Sequence, residues 1–259
     1  MWESRKVISV LLLASLFASM LTVVVSADNS LVSSDTSKLS VRIFIKYANP
    51  VKRTTANVVD IGDPDGDGAR DGYVLSGLWW NLSKYPNGVP YVINPSGAVK
   101  QGLAQSDVVA RIKASLESWD AAVSKELYND DPVVDTKAKA RLDYKNVITW
   151  ARLQPGVVAV ATIWYYSATG EIVDADIELN SYYKWGIDPD GEGTNYTLTD
   201  RFDIQNVVTH EAGHWSGLDD IYDDTYWAVT MYGYTHYGET IKISLEPGDI
   251  AGVRAVYGA

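Results

Sequence analysis

Two of the chain's three histidines, His210 and His214, stand four residues apart with Glu211 between them. Four residues make about one helical turn, so on a helix both imidazoles project from one face, across a gap a divalent ion can bridge. Glu211 lies about a hundred degrees round the axis from His210, within reach of a metal's outer shell without being a ligand. Nitrogen and oxygen donors with one coordination position left open suit zinc, which brings the pKa of its water to about 7. A neighbouring carboxylate can take that water's proton and pass it to a leaving amine. H-E-x-x-H is therefore a peptide-hydrolysis pattern with a reason for each letter. The same letters also describe two surface histidines in a polar turn.

The continuation separates these readings: His210-Glu211-Ala212-Gly213-His214-Trp215-Ser216-Gly217-Leu218-Asp219-Asp220. Gly217 can adopt a left-handed conformation, so the helix ends there and the chain doubles back. Asp220 then falls where a third ligand is needed. Asp219, Asp223 and Asp224 compete for that role. So does His236, because zinc prefers imidazole.

These candidate ligands need elements to hold them. A helix beginning near Asp200 or Asp203 and ending at Gly217 carries the histidines. Upstream, Ser106-Asp107 opens an amphipathic helix in which Val108, Ile112, Leu116, Trp119, Val123 and Leu127 form one apolar stripe. Asn129-Asp130-Asp131-Pro132 stops it. Strands are expected at Val41–Tyr47, around Val89–Ile93, and at Val147–Ala151, Val157–Tyr165 and Ile172–Leu179. Val157–Tyr165 is apolar on both faces in parts, which predicts a place inside the sheet. A final short helix starts near Pro247, with Ile250, Val253 and Val256 inward. This order predicts an α+β fold.

Composition narrows the function classes. With 22 Lys plus Arg against 33 Asp plus Glu, the formal charge is −11, and no basic run exists to neutralise phosphates. Nucleic acid is therefore excluded as a partner. The absence of cysteine excludes disulfides, thiolate zinc, iron–sulfur clusters and a cysteine nucleophile. At the start, Arg5 and Lys6 precede an apolar run, Val7 to Val25, and Val25-Ser26-Ala27 has the form of a signal-peptidase site. Residues 1–27 thus read as a signal peptide of a secreted, extracellular protein; an uncleaved membrane anchor over residues 7–25 is the alternative. Residues 28–76 read as a leader or short pro-segment, and residues 77–259 as the globular domain, expected to act as a monomer.

H-E-x-x-H-x-x-G-x-x-[H/D] is the metzincin zinc signature, and the chain resembles a matrixin-type metzincin. The likeness extends to Phe202-Asp203-Ile204-Gln205-Asn206-Val207-Val208 before the zinc helix and to Val229-Thr230-Met231-Tyr232-Gly233, which resembles the Met-turn under the metal. Leu245-Glu246-Pro247-Gly248-Asp249-Ile250-Ala251-Gly252-Val253 is similar to the closing helix, and residues 170–180 resemble the strand on the cleft's upper rim. The resemblance implies a metzincin-like catalytic domain: a mixed twisted sheet with two long helices, the zinc helix and a short C-terminal helix. It implies a zinc-dependent metalloendopeptidase acting on a protein or peptide substrate. His210, His214 and Asp220 would hold zinc, Glu211 would be general base and acid, Met231 would support the site, and His236 would line the wall of a substrate pocket. Most matrixins carry histidine at the third position; aspartate there resembles snapalysin-like enzymes. Without cysteine, a cysteine-switch latency is impossible. A pro-segment whose aspartates reach the zinc, as in astacin-like relatives, is one use of residues 28–76. The rival reading from another class is a non-catalytic secreted binding module with a structural metal site.

Two acidic loops stand apart. Asp63, Asp65 and Asp67 match the first half of a calcium loop whose twelfth position is Val74 rather than Glu; Asp188, Asp190 and Glu192 have similar chemistry. Such donors favour Ca2+ and also make ordinary solvated turns. Calcium is the second expected cofactor, with the later loop preferred because matrixins bind calcium in surface loops. Asn81-Leu82-Ser83 and Asn195-Tyr196-Thr197 are glycosylation sequons.

Overall fold

A computed structural model describes residues 38–48, 55–193 and 197–259 of the protein. The signal-peptide reading, most of the leader before Leu39 and the Asn195 sequon lie outside those residues. The strands are β1 (Leu39–Tyr47), β2 (Val59–Gly62), β3 (Asp71–Tyr73), β4 (Tyr91–Ile93), β5 (Val133–Val134), β6 (Asn146–Ala151), β7 (Val157–Tyr166), β8 (Ile172–Asn180), β9 (Trp185–Gly186) and β10 (Phe202–Asp203). The helices are α1 (Ser96–Val99), α2 (Gln105–Asp120), α3 (Ile204–Trp215) and α4 (Pro247–Tyr257). None is long and apolar enough to cross a membrane.

The main sheet has the order β1-β7-β8-β6-β4-β5. β7 is antiparallel to both its neighbours, while β8, β6, β4 and β5 pair in parallel. The fold is thus α+β with a mixed sheet, as the element order predicts. Its core joins the inner faces of β7 and β8 to α2 and α3. Val108, Ile112, Leu116 and Trp119 of the α2 stripe are fully buried. They pack towards α3, all twelve residues of which are buried. The Trp119 indole donates to Thr209 O at 2.9 Å, and Ser115 Oγ to Gln205 O at 3.2 Å, so the two helices are also tied by hydrogen bonds.

Two local expectations differ. α2 begins at Gln105 after an extended Ala104, one residue before the Ser106-Asp107 pair expected to open it, and the Ser106 hydroxyl donates to Asp107. It ends at Asp120, whose carboxylate accepts from the backbone N–H groups of Leu127 and Tyr128 and turns the chain back. Leu127 is still buried, but it enters the core from that turn. Residues 170–180 do not form the rim either. β8 is paired on both edges, by β7 and β6, and the outer edge of β7 is covered by β1. β7 is internal, as its apolar faces predict, through its pairing with β1.

Candidate metal centre

Asp203 begins the zinc helix: its backbone is extended and its carboxylate accepts from Asn206 N at 2.8 Å, satisfying one of the free amides of α3. One turn in, His210 Nδ1 lies 2.7 Å from Thr230 O; one turn later, His214 Nδ1 lies 3.0 Å from Leu218 O. Each carbonyl holds a proton on Nδ1, so each Nε2 presents its lone pair. The chain leaves α3 through Gly217, whose φ of +95° is the left-handed turn the sequence requires. A β-carbon there would press on Leu78 O. The reversal brings Asp220 Oδ1 to 3.2 Å from His210 Nε2 and 3.6 Å from His214 Nε2.

These three atoms are buried and none makes a hydrogen bond, although unpaired polar atoms in a protein interior are costly. Burial is the main cause holding His210 down to about pH 3, with the Lys46 ammonium adding to it. Burial also lowers His214. Burial alone would raise Asp220, but His214, His210 and the Tyr222 hydroxyl, which donates to its Oδ2 at 2.7 Å, hold it at about 2. Two neutral imidazoles and an ionised carboxylate, converging without mutual hydrogen bonds, are in the protonation state a metal requires. The set fits zinc with nitrogen and oxygen donors.

Glu211 is also fully buried, and neither of its carboxylate oxygens has a hydrogen-bond partner. Burial pushes its pKa well above the usual range, against the pull of Lys46. Beneath the histidines, Met231 is buried against α3 at Gly213, where a β-carbon would overlap its sulfur and sit 2.7 Å from the Trp119 ring. Gly213→Ala should therefore gain a little helix propensity but lose more to overpacking, a net cost of about 1–2 kcal/mol. A lower melting temperature and weaker zinc retention in a chelator competition are the expected readings; an unchanged melting temperature would refute the close packing.

Thr230 and Met231 are fixed by Asp249 of α4. Its carboxylate accepts from Thr230 N at 2.7 Å, Met231 N at 3.1 Å and Glu246 N at 3.0 Å. The closing helix thus positions the carbonyl that orients His210.

The alternatives for the third ligand go elsewhere. Asp219 accepts from Asp220 N, Asp223 caps the short turn at Thr225, and Asp224 accepts from the Tyr232 hydroxyl. The His236 imidazole lies 3.6 Å from Glu239 with its side chain 57% exposed. None of the described aspartates of residues 28–76 joins the histidines. Asp63, Asp65 and Asp67 gather an oxygen each within 4.8 Å of one another, all exposed. In the later loop Asp188 accepts from Thr197, and Glu192 from Ser244, so those carboxylates are engaged within the protein. Asp188, Asp190 and Glu192 form no comparable cluster among the described residues.

Four residues near the site escape a motif search. Phe44 stacks on the His214 ring at 4.0 Å and 11°, and Lys46 is buried beside Glu211 and Asp220. Their signal was available: in Val41–Tyr47 they share one strand face. Tyr222 carries no pattern of its own. Asp249 lies inside a recognised segment, but only contacts reveal its role.

A helix bearing H-E-x-x-H, a reversal delivering a third donor and a methionine turn below, all under a mixed sheet, define a zinc metalloprotease. Residues 86–258 match the family profile described as matrixin, and the chain belongs to that family, which is zinc-dependent. Comparison with individual curated proteins gave no match.

Proposed function

We propose that the protein is an exported zinc endopeptidase that hydrolyses internal peptide bonds of protein or peptide substrates. The observation that carries this reading is the convergence of His210 Nε2, His214 Nε2 and Asp220 Oδ1, unpartnered and buried, beside an equally unpartnered Glu211. His210, His214 and Asp220 hold the zinc. Bound there, zinc supplies Lewis acidity that polarises a carbonyl and lowers the pKa of water from 15.7 to about 7.

The remaining work belongs to side chains and backbone. Glu211 accepts a proton from the attacking water as the water oxygen bonds to the scissile carbonyl carbon. As the carbon–nitrogen bond breaks, Glu211 returns that proton to the departing amine, so a carboxylic acid and an amine leave and ionise to carboxylate and ammonium. Thr230 O and Leu218 O keep both imidazoles in the right tautomer. Residues 77–259 form the catalytic unit, residues 28–76 a leader or short pro-segment, and residues 1–27 a cleaved signal that sends the chain out of the cell. A binding module with a structural metal has no use for Glu211.

Purified protein is expected to carry one zinc per chain and to cleave casein slowly. Chelation with 1,10-phenanthroline should stop cleavage, and added zinc should restore it. Cleavage persisting in the zinc-free protein, or no zinc in the purified chain, would reject the reading.

A further inference from the structure

The third donor of the candidate centre differs from the two imidazoles in having a second oxygen. Asp220 Oδ1 is buried, makes no hydrogen bond, and lies 3.2 and 3.6 Å from the Nε2 atoms of His210 and His214. Its other oxygen, Oδ2, accepts from the Tyr222 hydroxyl at 2.7 Å, the short length of a charge-assisted bond. The carboxylate is thus divided, one oxygen for the histidine side and one for a phenol. That phenol is held by the chain around it. Ile221 N donates to Met231 O at 2.9 Å and Gly233 N to Ile221 O at 2.8 Å, so the segment bearing Tyr222 pairs in parallel with the Met-turn. A β-carbon on Gly233 would come within 2.3 Å of the Tyr222 ring, so the ring lies in a space that only glycine leaves. The Tyr234 ring, 5.3 Å away between centroids, also packs on it.

A carboxylate with both oxygens free can grip a cation with one of them or with two. Two would take a position that catalytic zinc keeps open. An anionic donor also gives the metal more charge than a neutral imidazole does, which weakens it as a Lewis acid. The Tyr222 hydroxyl opposes both effects: it occupies Oδ2 and draws charge towards that oxygen, leaving Oδ1 as a single, less basic donor. Resting on the zinc endopeptidase reading above, we propose that Tyr222 is a positioning residue that confines Asp220 to ligation through one oxygen and offsets the charge an aspartate brings to this place. Asp220 and Tyr222 then work as one unit. The unit also favours zinc over calcium, which takes bidentate carboxylates among six to eight oxygens. Outer partners of this kind orient a ligand and tune the metal it holds.

The test compares the full chain with Tyr222→Phe, which keeps the ring against Gly233 and removes only the hydroxyl. Cobalt(II) is exchanged for zinc and its visible absorption recorded, because the bands weaken as oxygen ligands are added around the ion. Weaker, shifted bands are expected in the phenylalanine variant. In the zinc-loaded form, kcat on a fluorogenic peptide should fall by about ten-fold or more while KM stays within about two-fold, since the effect acts on the transition state. A second background, Asp220→His, has no outer oxygen, and there Tyr222→Phe should leave both readings unchanged. Identical cobalt spectra with and without the hydroxyl overturn the proposal, whatever the protein cleaves and whether or not the histidine background holds metal. An equal loss of kcat in the aspartate and histidine backgrounds overturns it too, because Tyr222 would then act through packing alone. Zinc-loaded protein with its native residues that cleaves nothing overturns the endopeptidase reading, while the cobalt spectra still decide the role of Tyr222.

Discussion

In the Glu211→Gln protein, peptide turnover is expected to fall by about 10²–10⁴-fold while zinc stays bound at one per chain. The substitution keeps the shape of the side chain. Because neither Glu211 oxygen makes a hydrogen bond, it breaks no pairing within the protein. It removes the ability to take a proton, which is the one property the proposed chemistry requires of this position. Glutamine is neutral, so the cost of burying a carboxylate disappears, and the melting temperature should hold or rise. kcat/KM on a fluorogenic peptide, with zinc content measured on the same sample, separates the outcomes. A loss smaller than ten-fold would move the proton transfer to another group. Loss of zinc would instead make Glu211 a ligand.

The largest stability effect is expected at a residue that touches neither metal nor substrate. Asp249→Ala strands two buried backbone donors, those of Thr230 and Met231, and a part-buried one, that of Glu246. Each unsatisfied donor costs about 1–3 kcal/mol, so the total loss is about 3 kcal/mol or more. For a domain of this size that corresponds to about 10 °C in melting temperature. Because Thr230 O orients His210, zinc affinity should also drop, by about 10–100-fold, the range usual for partners of metal ligands. Asp249→Asn, which keeps one acceptor oxygen, should fall between the two. Thermal unfolding with and without zinc reads both effects. Full stability in the alanine variant would mean that the Met-turn is held by other contacts.

What the sequence discloses is what local geometry decides. A four-residue spacing on a helix and a glycine at the left-handed turn place His210, His214 and Asp220 together, because every step from one to the next is short. The α2 stripe is legible for the same reason. Its end is not, because the apolar spacing continues to Leu127 while Asp120 binds the returning amides and breaks the helix. Sheet order is less accessible still. Nothing in the composition of β8 says that it is paired on both edges, and nothing in Val41–Tyr47 says that its partner lies more than a hundred residues on. The acidic loops show the opposite failure. Their composition suggested one chemistry for both, yet only the first gathers its carboxylates, because Asp188 and Glu192 find hydroxyl partners.

β7 is the longest strand among the described residues, and its sequence, Val-Val-Ala-Val-Ala-Thr-Ile-Trp-Tyr-Tyr, has no charge and no proline. Uncovered, such a ribbon is a ready template for stacking with its own kind. With β1 paired along it, apart from a bulge at Val158, the ladder on that side is already filled. The nine residues laid across the site therefore act as a fitted guard against aggregation, and any process that strips them away exposes a surface that self-associates unless another chain takes the place.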